Sequence, residues 1–251
     1  MIDTNIHLHR WTFRRLALDN SEALVQKLKQ LGVTEAWAGS YDALFHRDVA
    51  GVNRRLTEEC SRHPLLKPFG TVNPSLPDWE DDLRRCAEEH EMPGVRLYPN
   101  YHGYELSDFR FRRLLKLAAE RGMVVQIAVM MEEERTQHSL VRLQHVNTAP
   151  LVDLLKEEPA ARVMLQNCFR AVRGGLLLKL VATEQVWFDT STIEGMAGIG
   201  RLLKQIPVKR LVLGSHAPLY IPESSILKLR ESELAPQQLD AIRLGNAQDL
   251  R

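Results

Sequence analysis

Two histidines and one arginine carry the chemistry that is legible in this sequence. His216, in the run Leu213-Gly214-Ser215-His216-Ala217-Pro218, has an imidazole that titrates near neutral pH, so it can take a proton from water without extreme tuning. His7 closes the opening run Ile2-Asp3-Thr4-Asn5-Ile6-His7 and can orient water or polarise a carbonyl. Arg96, in Gly94-Val95-Arg96-Leu97-Tyr98-Pro99, presents a planar fork that matches a carboxylate; an internal ion pair, to Asp3 for example, would satisfy the same buried charge. Asn5, Tyr98, Asn100, His102, Gln126 and Asn167 lie on or just after apolar runs and extend the polar set as substrate-binding candidates. A long charged segment, Met130 to His145, adds Arg135, Gln137 and His138, which would reach substrate if the segment folds over a pocket. The set points to water attacking a small, carboxylated lactone, ester or amide, with His216 as base and Arg96 holding an anion. Two alternatives stand beside it. His7, His216 and one more residue, such as His102 or His138, would hold a single divalent ion such as zinc. Or the pocket would bind a ligand or a protein partner without chemistry.

These residues need a scaffold that brings distant strand ends together. Short apolar runs mark strands at Ile2 to His7, Val33 to Ala38, Pro68 to Val72, Gly94 to Leu97, Met123 to Val129, Val163 to Leu165, Val186 to Asp189 and Leu211 to Gly214. Helical patterns lie between them, among them Ser21 to Leu31, Asp78 to His90, Phe109 to Arg121 and Gly195 to Gln205. Phe111, Leu114, Leu115, Ala118 and Ala119 recur at helical spacing until Gly122 stops them. Eight successive βα units in 251 residues predict one (β/α)8 TIM barrel spanning 1–251. An open doubly wound sheet is the rival, but no Gly-rich phosphate loop follows the first strand. Strand alternation predicts Asp3, Asn5 and His7 facing the barrel interior, with Ile2, Ile6 and Leu8 facing the helices.

Composition excludes several classes. With 33 basic and 32 acidic residues, a net charge of +1 gives no reason to expect a nucleic-acid or membrane partner. Cys60, Cys86 and Cys168 are widely spaced, which favours reduced thiols and a cytoplasmic protein over a disulfide framework. The expected partner is a small-molecule substrate, and self-association into a homo-oligomer is compatible with the composition.

The opening strand resembles that of the amidohydrolase superfamily, in particular its amidohydrolase-2 branch, which reads Asp-x-His-x-His there. Gly94 to Pro99 is similar to that family's Gly-(Ile/Val)-(Lys/Arg)-Leu-His-Pro strand. Leu213 to Pro218 resembles its Gly-Ser-Asp-x-Pro turn, and Gly245-Asn246-Ala247 with Leu250 resembles its closing segment. The resemblance implies a TIM barrel and a metal-dependent hydrolase or decarboxylase. It also implies ligand positions that this sequence fills differently. Asn5 stands for a first-strand histidine, Ala128 and Asn167 for the fifth- and sixth-strand histidines, and His216 for the last-strand aspartate. An amide is a poor zinc ligand and alanine is none, so no bound metal cofactor is expected.

Overall fold

The computed structural model describes residues 1–251. Eight strands appear in the predicted order: β1 Ile2–Leu8, β2 Glu35–Ser40, β3 Leu66–Pro68, β4 Gly94–Leu97, β5 Val124–Ala128, β6 Arg162–Gln166, β7 Val186–Asp189 and β8 Leu211–Val212. All pairings are parallel, in the orders β1-β2-β3 and β4-β5-β6-β7-β8. Single bridges, Gly70 to Val95 and Ile6 to Ala217, join the two sheets and close the barrel. A helix follows each strand, including Ser21–Gln30 after β1, Phe109–Glu120 after β4 and Glu223–Glu231 after β8. Parallel strands need such crossovers, and helices on the outside leave the strands buried on both faces. No helix is long and apolar enough to cross a membrane. All three cysteines are free and buried.

The barrel is filled in layers. At its N-terminal end Ile2, Trp37, Phe69, Val124, Met164 and Val212 form an apolar floor, sealed from below by Ala247 and Leu250. Ile2 therefore faces inward, contrary to the simple alternation expected of β1. The reason is an irregularity between Asp3 and Ile6, where β1 takes one residue more than β2. Such a bulge shifts the phase of the faces beyond it. Ile6 and Leu8 join the outer helical core as expected, together with Leu24, Val25 and Leu28. Asp3 uses its carboxylate to receive the backbone N–H groups of Asn5 (3.1 Å) and Ser215 (3.0 Å), so it braces the β1–β8 seam.

Candidate active site and C-terminal cleft

Above the apolar floor lies Arg96, fully buried on β4. Its Nε donates to Gln126 Oε1 (2.8 Å), the residue directly across on β5. Nη1 donates to Ile6 O (2.6 Å) and reaches His7 Nε2 at 3.3 Å, while Nη2 donates to Trp37 O (3.0 Å) and Thr4 O (3.3 Å). A guanidinium has five N–H groups, and all five are spent on the protein. The expected fork for a substrate carboxylate is therefore not available; nor is there an ion pair with Asp3. Arg96 instead ties together the backbones of β1 and β2. Gly39 on β2 makes room for it: a Cβ there would lie 2.7 Å from Arg96 Nη1 and 3.0 Å from the Tyr98 hydroxyl. Burial without a carboxylate in contact pulls the arginine below its ordinary range, by desolvation first.

The next layer is a network of amides around one carboxylate. Asn5 Nδ2 donates to Asn167 Oδ1 (2.9 Å) and to Asp189 Oδ2 (2.6 Å). Asp189 Oδ1 accepts from the Asn167 backbone (3.0 Å). The Ser191 hydroxyl sits between Asn167 Oδ1 (2.7 Å) and Asp189 Oδ1 (2.9 Å), one proton facing two acceptors. Burial pushes Asp189 up to about 6, against the hydrogen bonds from Asn5, Asn167 and Ser191 that hold it down. Asn167 and His216 both adopt the left-handed backbone region, with φ of 54° and 60°. That is unusual for non-glycine residues and concentrates at functional positions.

His216 does not have the geometry of a general base. Its Nε2 lies 2.7 Å from the Met131 carbonyl, which can only accept, so Nε2 carries the proton. The lone pair on Nδ1 faces the Asn167 amide at 3.4 Å. The ring is fully buried, and desolvation lowers its pKa to about 4. His7 accepts at Nε2 from the Tyr98 hydroxyl (3.1 Å), stacks on Tyr41 (4.8 Å between centroids) and meets His216 edge-on at 5.5 Å. Burial, then Arg96, holds His7 well below the usual histidine range.

Asn5, His7, Arg96, Tyr98, Gln126, Asn167 and His216 thus converge within the barrel, but they do not open on a common cavity. Asn100, Arg135 and His138 stand apart from them, and His102 touches the set only at its edge, packing edge-on against Tyr98 at 6.0 Å. Asn100 ties to the Gln144 carbonyl (3.1 Å) and His102 to the Ala43 carbonyl (2.9 Å). Arg135 is exposed and pairs with Glu133, while His138 stacks on Phe13 at 5.1 Å. Gln137 pins its own loop through Leu143.

The accessible space lies just outside the network, on the C-terminal face. A cleft of about 440 Å³ is lined by Arg14, Glu132, Arg170, Ser191, Tyr220 and Lys228, among others. Ser191 belongs to both cleft and network, and Tyr220 packs edge-on against His216 at 5.0 Å. Arg14 pairs with Glu132, and Arg170 pairs with Glu133 (3.2 Å) and Glu194. Lys228, from Glu223–Glu231, has only the Thr190 and Ser191 carbonyls. Burial lowers its pKa. Sequence reasoning missed Asp189, Ser191 and Lys228. For Asp189 the signal was present: a charged residue ending the otherwise apolar run Val186 to Asp189, at the strand end where barrels place their sites. Lys228 has no local signal, because an isolated lysine on an amphipathic helix reads as solvated.

A parallel eight-stranded barrel, with a helix after each strand and a polar constellation at the C-terminal strand ends, defines a TIM barrel. The amidohydrolase family model (Amidohydro_2) matches residues 2–250, and the chain belongs to that family. No curated protein sequence matches it. Among solved structures it resembles 2,6-dihydroxybenzoate decarboxylase from Rhizobium, with 12% identity over 99% of this chain and 98% of that one and a TM-score of 0.74. It also resembles 5-carboxyvanillate decarboxylase from Sphingomonas paucimobilis (11%, 99% and 98%, TM-score 0.75). A third likeness is dihydroxybenzoic acid decarboxylase from Polaromonas, solved with bound manganese (14%, 99% and 96%, TM-score 0.75). At such identities the likeness establishes a shared barrel.

The family implies a metal, and the residues here do not fit one. No three His, Cys, Asp or Glu side chains gather as a metal-holding group. Asn5 and Asn167 offer amides already bonded to each other, and Ala128 packs against Tyr98 and Met131. Both histidines are engaged, His7 Nε2 with Arg96 and Tyr98, and His216 with Met131 and Asn167.

Proposed function

We propose that this protein binds a small carboxylate-bearing compound in the C-terminal cleft, and that the family's metal centre has been replaced by a structural hydrogen-bond network. The observation that carries this reading is Lys228. Of the three cations lining the cleft, Arg14 and Arg170 form ion pairs with glutamates, while Lys228 has no carboxylate in ion-pair contact, Asp189, Glu194 and Glu231 acting on it only from farther off. A half-buried ammonium held by two carbonyls retains one N–H for a ligand. Binding would be tested by calorimetry with 2,6-dihydroxybenzoate, the compound named for the Rhizobium relative, and with benzoate. Lys228→Met is expected to weaken binding by about 10- to 100-fold, the worth of a hydrogen bond to a charged group. Wild-type affinity in that variant would sink the reading.

The second reading keeps chemistry. What favours it is the company the fold keeps: the three barrels named above are decarboxylases, and the Polaromonas one holds manganese. The same samples, with and without added manganese or zinc, would be monitored for CO2 release from 2,6-dihydroxybenzoate and for acid release from carboxylated lactones and esters. Turnover that rises with one equivalent of metal, with a matching rise in melting temperature, would replace the metal-independent binding reading.

A further inference from the structure

Three polar hydrogens are buried at the mouth of the barrel with nothing to receive them. His7 Nε2 faces an arginine N–H, and arginine only donates, so in the neutral ring the proton resides on Nδ1. That Nδ1, the Trp11 indole Nε1 and the Tyr41 hydroxyl all lack a hydrogen-bond partner, and Asn5 Oδ1 lacks a donor. The three rings form one cluster: His7 stacks on Tyr41, and Trp11 packs edge-on against Tyr41 at 5.1 Å. All are buried to within a few per cent. Buried polar groups are ordinarily paired, and three unmade donors in one place call for an acceptor. Arg96 borders His7 with no carboxylate in contact and favours an anionic one; the charge of Glu132 opposes it at Tyr41 but acts less strongly there.

The segment above this cluster is weakly held. The backbone turns in Arg10 to Asp19, at Thr12–Phe13 and Ala17–Leu18, are internal to the segment, and no backbone–backbone hydrogen bond ties it to the barrel. Side chains hold it: Trp11 on Tyr41, Phe13 between Phe45 (5.7 Å) and His138, and Arg14 on Glu132. Arg14 and Glu132 are also walls of the cleft, as is Leu219, whose backbone N–H lies against the Tyr41 oxygen without reaching hydrogen-bond geometry. The segment therefore touches both places, with Arg14 on the cleft wall and Trp11 among the unpaired donors. A stretch with few bonds of its own opens at low free energy.

We infer that Arg10 to Asp19 is a lid over an inner anion site, in which His7 Nδ1–H and Tyr41 Oη–H from the barrel wall and Trp11 Nε1–H from the lid receive a carboxylate oxygen of the bound ligand. The inference rests on the reading that such a compound enters by the cleft. It adds where the inner end of that compound goes and what closes over it. Lys228 would hold an outer oxygen function, so the fitting ligands carry a carboxylate and at least one further oxygen.

The test is a titration of protein labelled with 15N at tryptophan, using 2,6-dihydroxybenzoate and benzoate. The Trp11 indole resonance is assigned by its loss in Trp11→Phe. It is expected to shift saturably on titration, with amide exchange in Arg10 to Asp19 slowed about 10-fold or more by the bound ligand. Tyr41→Phe, which keeps the ring and removes only the donor, and Trp11→Phe, which removes the donor together with the five-membered ring of the indole, are each expected to weaken binding about 10-fold or more. Binding that leaves the Trp11 resonance and the lid exchange unmoved, and that both phenylalanine variants retain, would overturn the lid site. In that case a loss of binding in Lys228→Met alone still upholds the cleft. Absence of binding by either probe at millimolar concentration overturns both.

Discussion

The inner network and the lid above it are a few ångströms apart and are held in opposite ways. Within the network nearly every polar group is bonded to the protein: five donors of Arg96, both amide hydrogens of Asn5, both ring nitrogens of His216. In the lid no backbone bond reaches the barrel, and side chains do the holding: Trp11, Phe13, Leu16 and Leu18 by packing and Arg14 by its pair with Glu132. A satisfied buried network is rigid, because each member fixes the next. A side-chain-held strap can leave and return. The difference suggests that the residues occupying the family's metal positions now hold the barrel together, while recognition has moved outward to groups with spare hydrogen-bonding capacity.

The sharpest way to break this comparison is Arg96→Met. It would leave the carbonyls of Ile6 and Trp37 and Gln126 Oε1 short of a donor, while the Thr4 carbonyl keeps those of Gln126 and Gln166, at about 1–3 kcal/mol for each one left unpaired. A loss of at least about 3 kcal/mol is expected in denaturant unfolding; a small loss would mean that the network is not what holds β1 and β2 to β4.

The pH dependence of stability comes next. Asp189 titrates near 6 in the folded state against an ordinary 3.8, so the folded protein holds its proton more tightly. That contribution is complete below about pH 4 and is lost as the pH rises through about 6. Asp3, also raised to about 6, behaves alike. His216, lowered from 6.5 to about 4, runs the other way: its contribution is present above about pH 6.5 and is lost as the pH falls toward 4. His7, also held below its ordinary range, runs with His216, and two rising against two falling contributions are expected to leave the wild-type protein nearly flat from about pH 4 to 6.5. In Asp189→Asn one falling term disappears, and the variant is expected to gain on the wild type by up to about 3 kcal/mol between pH 4 and 7. Unfolding curves across that range decide it; parallel profiles would show that Asp189 is not buried as a weak acid.

His216→Ala follows in size. It removes a donor to Met131 and an acceptor from Asn167, and a loss of about 1–3 kcal/mol is expected. If turnover of any carboxylated ester falls 100-fold while the melting temperature stays put, His216 is a base after all. The smallest effect belongs to the lid. Phe13→Ala is expected to change global stability by about 1 kcal/mol or less, since the ring is only half-buried, yet to speed amide exchange between Arg10 and Asp19. Uniform acceleration across the barrel would show that the segment is part of the core.

The sequence alone determined the barrel. Eight apolar runs separated by amphipathic stretches leave few arrangements that bury both, and all eight strands lie where the pattern puts them, with shifts of a few residues at their ends. It also determined which inner residues meet, because strand alternation and strand ends are local facts: Asn5, His7, Arg96, Gln126, Asn167 and His216 converge as read. What those residues do was decided only by the tertiary structure. Whether an arginine forks a ligand or spends its donors on carbonyls depends on backbones from strands far away in sequence. Whether a histidine can act as base depends on which nitrogen a loop carbonyl 85 residues distant has claimed. The bulge in β1 that turned Ile2 inward is set by pairing with β2, and Lys228 becomes notable only once its neighbours in the cleft are seen to be paired with glutamates. Periodicity reports which face a side chain is on; hydrogen-bond capacity is shared among everything folded around it, so what is left over for a ligand appears only in three dimensions.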